Sequence, residues 1–85
     1  MKKLSPSVLE AVRRFVKTVD SNVISYVVSD YAHYVYQAMD EDSEMSDDDR
    51  DLVRMLVRCV KHNYTRNDYS VETDQYLKSL RNLLT

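Results

Sequence analysis

The chain contains no glycine and a single proline. Every turn that needs a positive φ must therefore use Asn or Asp. Phosphate-cradling glycine loops are excluded and hairpin-rich β folds are disfavoured, because both need glycine at fixed positions. What remains is helices joined by short polar links.

The apolar spacing agrees. The stretch Asn22–Met39 reads NVISYVVSDYAHYVYQAM. At about 100° per residue, Val23, Tyr34, Val27, Ala38, Tyr31, Ile24, Val35, Val28 and Met39 fall into one arc of roughly 160°. The opposite side carries Asn22, Ser25, Asp30, His33 and Gln37, with Tyr26, Tyr36 and Ala32 among them. As a strand the stretch fails, since neither alternate set of positions is consistently apolar. So wide an arc predicts burial against two or more neighbours, and it favours a homodimer or higher oligomer in so small a chain.

Three further segments have helical period. The first spans 6–19, capped by Ser5 with Pro6 at the first helical position, and its apolar face is Val8, Val12, Phe15, Val16 and Val19. A continuous helix would set this face about 120° from that of the 22–39 segment, so a break is expected at Asp20–Asn22. The third spans 47–64 behind a Ser46 cap, with Leu52, Val53, Leu56, Val57, Cys59, Val60 and Tyr64 as core face and Met55 at its border. The fourth spans 71–84 behind Ser70, with Tyr76, Leu77, Leu80, Leu83 and Leu84 on one side. The expected fold is all-α: one domain over residues 1–85, four helices as an antiparallel bundle or two helical hairpins.

At 85 residues one core supplies only a few kcal/mol. A lone cysteine, Cys59, excludes an internal disulfide and makes a reducing cytoplasm the default compartment. Met1–Leu4 is too short for a signal peptide, and no apolar run reaches membrane-spanning length. The net charge of −2 names no partner by itself.

Each candidate site also has a plain structural role open to it. Residues 40–51, DEDSEMSDDDRD, hold eight of the fourteen acidic residues. Asp40, Asp42, Glu44 and Asp51 fit positions 1, 3, 5 and 12 of a calcium loop, but Met45 occupies the glycine position and Asp51 is one carbon short of the bidentate Glu. Asp47, Asp48 and Asp49 suit a helix N-terminus, so no metal site is expected. Arg50, Arg54, Arg58 and Lys61 share an arc of roughly 80° on the third helix, a stripe suited to phosphate or an acidic partner, with His62 at its edge. Arg13, Arg14 and Lys17 form a second basic cluster that extends the stripe if the folded helices bring them together. Tyr26, Asp30, His33 and Gln37 follow one ridge of the second helix, beside Tyr36, with the chemistry that protein interfaces favour.

Catalysis has little support. His33 and His62 are the only histidines; Asp30, three residues before His33, could orient an imidazole, but no serine or cysteine is placed to receive it, Cys59 falls in an apolar arc as a buried thiol, and the Asn63-Tyr64-Thr65 sequon has no secretory context. The expectation is a non-catalytic protein-binding module, an adaptor, regulator or inhibitor, without cofactor and without membrane attachment. The alternative is nucleic-acid or nucleotide binding through the third-helix stripe.

Overall fold

The computed structural model describes residues 4–67 and 71–85. Four helices account for most of them, and no strand occurs among the described residues. They are α1 (Pro6–Asp20), α2 (Ser25–Asp40), α3 (Asp47–Thr65) and α4 (Val71–Leu83). The protein is a small all-α four-helix domain, 35 × 22 × 20 Å.

The starts of α1 and α3 follow from their caps. Ser5 Oγ accepts from the Val8 amide at 3.4 Å, with Pro6 opening the helix. Ser46 Oγ accepts from the Asp49 amide at 3.2 Å, and Asp47, Asp48 and Asp49 fill the first turn. Both satisfy amides that have no partner within the helix. Ser70 lies outside the described residues.

Each helix packs against the next, and α1 also touches α4. The first two links reverse the chain: Tyr64 at the end of α3 reaches Asn22 and Val23 just before α2, and Arg50 at the start of α3 reaches Met39 at the end of α2. α2 and α3 are therefore antiparallel. α4 is pinned twice at one end of the domain. Asn63 Nδ2 donates to Thr73 Oγ1 at 2.8 Å, and Arg81 Nη2 lies 2.5 Å from Asp20 Oδ1. It thus bridges the C-terminal ends of α3 and α1.

Valine dominates the core, with Phe15, Met39 and Leu80 as its largest fully buried fillers. No buried side-chain nitrogen or oxygen lacks a hydrogen-bond partner among the described residues.

Two expected faces are corrected. The buried residues of α2 are Val28, Ala32, Val35 and Met39, which rotates the core face by about 70° from the arc read in the sequence. Ala32, assigned to the polar side, is fully buried, while Ile24 and Tyr34, assigned to the core, are 64% and 58% exposed. Tyr34 keeps its hydroxyl wet on that side, whereas a methyl side chain at Ala32 lets a neighbouring helix approach closely. Ile24 is not in the helix: Asn22 takes φ 54°, the left-handed conformation that breaks the chain between α1 and α2, so α2 starts at Ser25 and not at 22. On α3, Leu52 is 40% and Met55 45% exposed, and Cys59 is half-buried. On that side Met55 and Cys59 border a groove that α4 closes from across with Glu72 and Tyr76.

Candidate functional site

α2 presents its outward ridge between α1 and α3. Tyr26, Asp30, His33 and Gln37 are all exposed on it, Tyr26 by 65%. Tyr36 sits where this ridge meets α3 and is half-buried. Its ring meets that of His33 edge to face, with centroids 6.0 Å apart and planes at 88°. The Arg54 guanidinium lies over the same ring, 5.7 Å from its centroid, within range of a cation–π attraction. Arg54 also reaches Asp40 Oδ1 at 3.4 Å. A tyrosine from α2 is thus held between a histidine of its own helix and an arginine of the next. The ridge and part of the basic stripe form one continuous face joined at Tyr36.

Burial pushes the Tyr36 phenol above its ordinary value, against the downward pull of the Arg54 and Arg58 cations and with a small upward contribution from Cys59. Tyr36 is therefore a neutral hydroxyl near pH 7, a donor and acceptor without charge.

The stripe of four cations does not survive as a unit. Arg50 is turned inward: Nη1 donates to the Met39 carbonyl at 2.8 Å, Nε to the Met45 carbonyl at 3.4 Å, and Nη2 to the Asp42 carbonyl. The fork already holds three backbone oxygens, so Arg50 has fewer donors left for a phosphate or an acidic partner than Arg58. Lys61 is half-buried, while Arg58 is exposed and makes no ion pair among the described residues. His62, at the edge, has Nε2 3.1 Å from Arg66 Nη1.

The second basic cluster is elsewhere. Arg13 and Arg14 are bound to Glu10 on their own helix at 2.6 and 3.1 Å. These two hydrogen bonds, Arg14 first, hold the Glu10 carboxyl below its usual range. Arg14 and Lys17 flank the α1 side of α2, along grooves shared with Tyr31 and Tyr34, whereas Tyr36 and Arg54 lie on the α3 side. The two basic clusters therefore border the ridge from opposite sides and do not merge. Tyr34 is the residue that periodicity missed: its ring lies tilted against Tyr31, centroids 5.6 Å apart, and adds a further exposed ring beside the ridge.

Residues 41–46 form the α2–α3 link. Asp42 Oδ1 accepts from the Glu44 amide at 3.0 Å, an Asx-type turn. The Asp42 and Met45 carbonyls of this link and the Met39 carbonyl of α2 converge on the Arg50 guanidinium. Among the described residues no three His, Cys, Asp or Glu side chains come together as a cation site. Cys59, expected to be buried, opens instead onto a groove between α3 and α4. No helix is long and apolar enough to cross a membrane among the described residues. Comparison of the chain with protein-family models, with curated proteins and with solved structures yields no match.

Proposed function

We propose that the chain is a non-catalytic protein-binding module that works in a reducing compartment and acts on another macromolecule as adaptor, regulator or inhibitor. Its contact surface would be the outward ridge of α2, Tyr26, Asp30, His33 and Gln37, continued across Tyr36 onto Arg54. The observation that supports this reading is the His33–Tyr36–Arg54 stack. Tyrosine and arginine are the side chains most often found to carry interface energy. Rings and guanidinium already packed against one another lose little conformational freedom when a partner closes over them. Tyr26 supplies an exposed anchor at the far end of the ridge. The mode of action would be occlusion of a partner's surface, with Arg54 and Arg58 contributing orientation and encounter rate.

The phosphate-binding alternative is weaker on this geometry. Arg50 faces inward and Arg54 shares its charge with Asp40, which leaves Arg58 and Lys61 to grip phosphates.

The test is affinity purification of the tagged chain from its own cells, followed by measured binding of the retained macromolecule to Tyr26→Ala and Arg54→Ala variants. Weakening of at least about tenfold by each, with helicity and melting unchanged, would support the surface. Undiminished binding by both would remove it. Binding that instead falls steeply with salt and depends on Arg58 would transfer the assignment to phosphate recognition.

A further inference from the structure

The surroundings of the α2 ridge change sign along its length. α1 and α3 both run antiparallel to α2, so the C-terminal halves of both border its first half. On the α1 side, Arg14 and Lys17 line a groove with Val23, Val27 and Tyr31. On the α3 side, Arg54 and Arg58 lie near Tyr36. Lys61 follows one turn on, toward the point where Tyr64 reaches Val23. The first half of the ridge thus has a row of cations on each flank. Between the rows stand the exposed Tyr26 and His33, with Asp30 as the carboxylate among them. The second half is acidic: Glu10 and Glu41 line the groove beside Gln37, Asp40 ends the helix, and Asp51 precedes Arg54 on α3.

The internal ion pairs leave this polarity in place. Glu10 is held by Arg13 and Arg14, and Asp40 by Arg54 at 3.4 Å. Lys17, Arg58 and Lys61 make no ion pair among the described residues, and neither does Asp30. Unneutralised positive charge therefore lies on both sides of the exposed Tyr26 ring.

We infer that the partner of the ridge is an acidic protein surface, one that seats Tyr26 in an apolar recess and sets carboxylates against the cation rows of α1 and α3. The inference rests on the ridge as the contact surface and adds the chemistry of what covers it. Charge complementarity selects this occupant. The rows stand on either side of α2, about one helix diameter or ~10 Å apart, a span that side chains on the two rims of one docked surface reach. At about 0.1 M salt this is also close to the Debye length, so both rows attract an approaching acidic surface together. A nucleic-acid strand stacked on Tyr26 would carry its phosphates past Asp30 and on toward Asp40 and Glu41. A protein can place a donor opposite Asp30 and end before the acidic half, which fixes its direction along α2.

The experiment is an NMR titration of the isotope-labelled full chain with three probes. They are an amphipathic helical peptide of Glu and Leu, the same peptide with Lys in place of Glu, and an oligothymidylate. The acidic peptide should bind, with amide shifts concentrated over the first half of α2 and the flanking turns that carry Lys17 and Arg58, and the basic peptide should not. Lys17→Glu and Arg58→Glu should each weaken the complex at least about fivefold. Together they should act as roughly the product of the single effects, because they lie on opposite flanks and share no partner. Lys78→Glu on α4 makes the same change in net charge and should alter binding less than about twofold. Circular dichroism verifies that each variant keeps its helices. Failure of the acidic peptide to bind, shifts centred elsewhere, or an equal response to Lys78→Glu would overturn the inference. Tighter binding of the oligothymidylate at equal salt would overturn it in favour of nucleic acid. Self-association of the chain that the same reversals abolish would overturn it in favour of a second copy. A complex that needs Tyr26 but ignores both reversals would overturn the acidic partner and leave the ridge standing.

Discussion

Arg50→Ala is the substitution whose cost the geometry predicts most directly. The native guanidinium joins the carbonyl that ends α2, that of Met39, to the Asp42 and Met45 carbonyls of the link leading into α3. The Met39 carbonyl also accepts from the Asp42 amide at 3.1 Å, so the arginine adds a second, external donor at this helix C-terminus. Hydrogen bonds from a charged donor contribute about 1.5–3 kcal/mol each. The bonds to Met39 and Asp42 count fully, while the one to Met45 at 3.4 Å counts little. Fully dry, the pair would be worth about 3–6 kcal/mol, but Arg50 is only half-buried and water replaces part of the loss in the variant. The expected destabilisation is about 1.5–3 kcal/mol, or a fall of about 6–24 °C in Tm for a domain of this size. Arg50→Lys should recover less than half, because an ammonium cannot reproduce the planar fork. Circular dichroism at 222 nm during thermal and urea unfolding measures both. The acceptors are carbonyls rather than carboxylates, so the loss should persist near 1 M salt, where screening acts within about 3 Å. A loss below about 0.5 kcal/mol, typical of an ordinary surface change, would refute the clamp. A loss that disappears at high salt would refute it in another way, by assigning the effect to attraction between Arg50 and the acidic link.

Tyr64→Phe removes the hydroxyl that donates to Val23 and approaches Asn22, and should cost about 1 kcal/mol in urea unfolding; no change would mean that the α1–α2 link is held by other contacts. Asn67 holds φ 55°, so Asn67→Val should cost about 1–2 kcal/mol while Asn67→Gly stays near neutral; equal losses for both would show that the side chain and not the backbone matters there. The Tyr36 phenol is raised in the folded state, so its contribution to stability is complete below the unfolded value of about 10 and is lost as pH rises through the folded one. Alkaline melting curves of Tyr36→Phe should accordingly fall less steeply than those of the native chain, and parallel curves would contradict the burial of that hydroxyl.

Much of this architecture was legible in the sequence. Ser5 with Pro6 and Ser46 with its three aspartates marked two helix starts, because caps are local chemistry. The facing of α2 was less so. Periodicity counts tyrosine as apolar, yet Tyr34 stays at the surface with its hydroxyl in water and Ala32 takes the core. Ile24 was misassigned because Asn22 adopts a left-handed conformation and delays the helix by one turn. The role of Arg50 was not legible, since it depends on carbonyls 5, 8 and 11 residues away that only the folded link brings together. The joining of ridge and stripe at Tyr36 was equally hidden, because no sequence pattern states which side of α2 meets α3.

The two pins that hold α4 differ greatly in the length of chain they close. Asn63 and Thr73 are 10 residues apart, whereas Asp20 and Arg81 are 61 apart. The α1–α2 and α2–α3 hairpins likewise join neighbours in the chain, so most of the domain can zip up from short loops, which favours folding on the microsecond-to-millisecond scale of helical proteins. Docking of α4 onto α1 alone must recruit the two ends of the chain at once, with the largest loop entropy set against an exposed ion pair. The α4–α1 contact is therefore expected to close after the hairpins and to open before them. Brief departures of α4 would bare the Leu77 and Leu80 side of the core while the α1–α2–α3 unit stays folded.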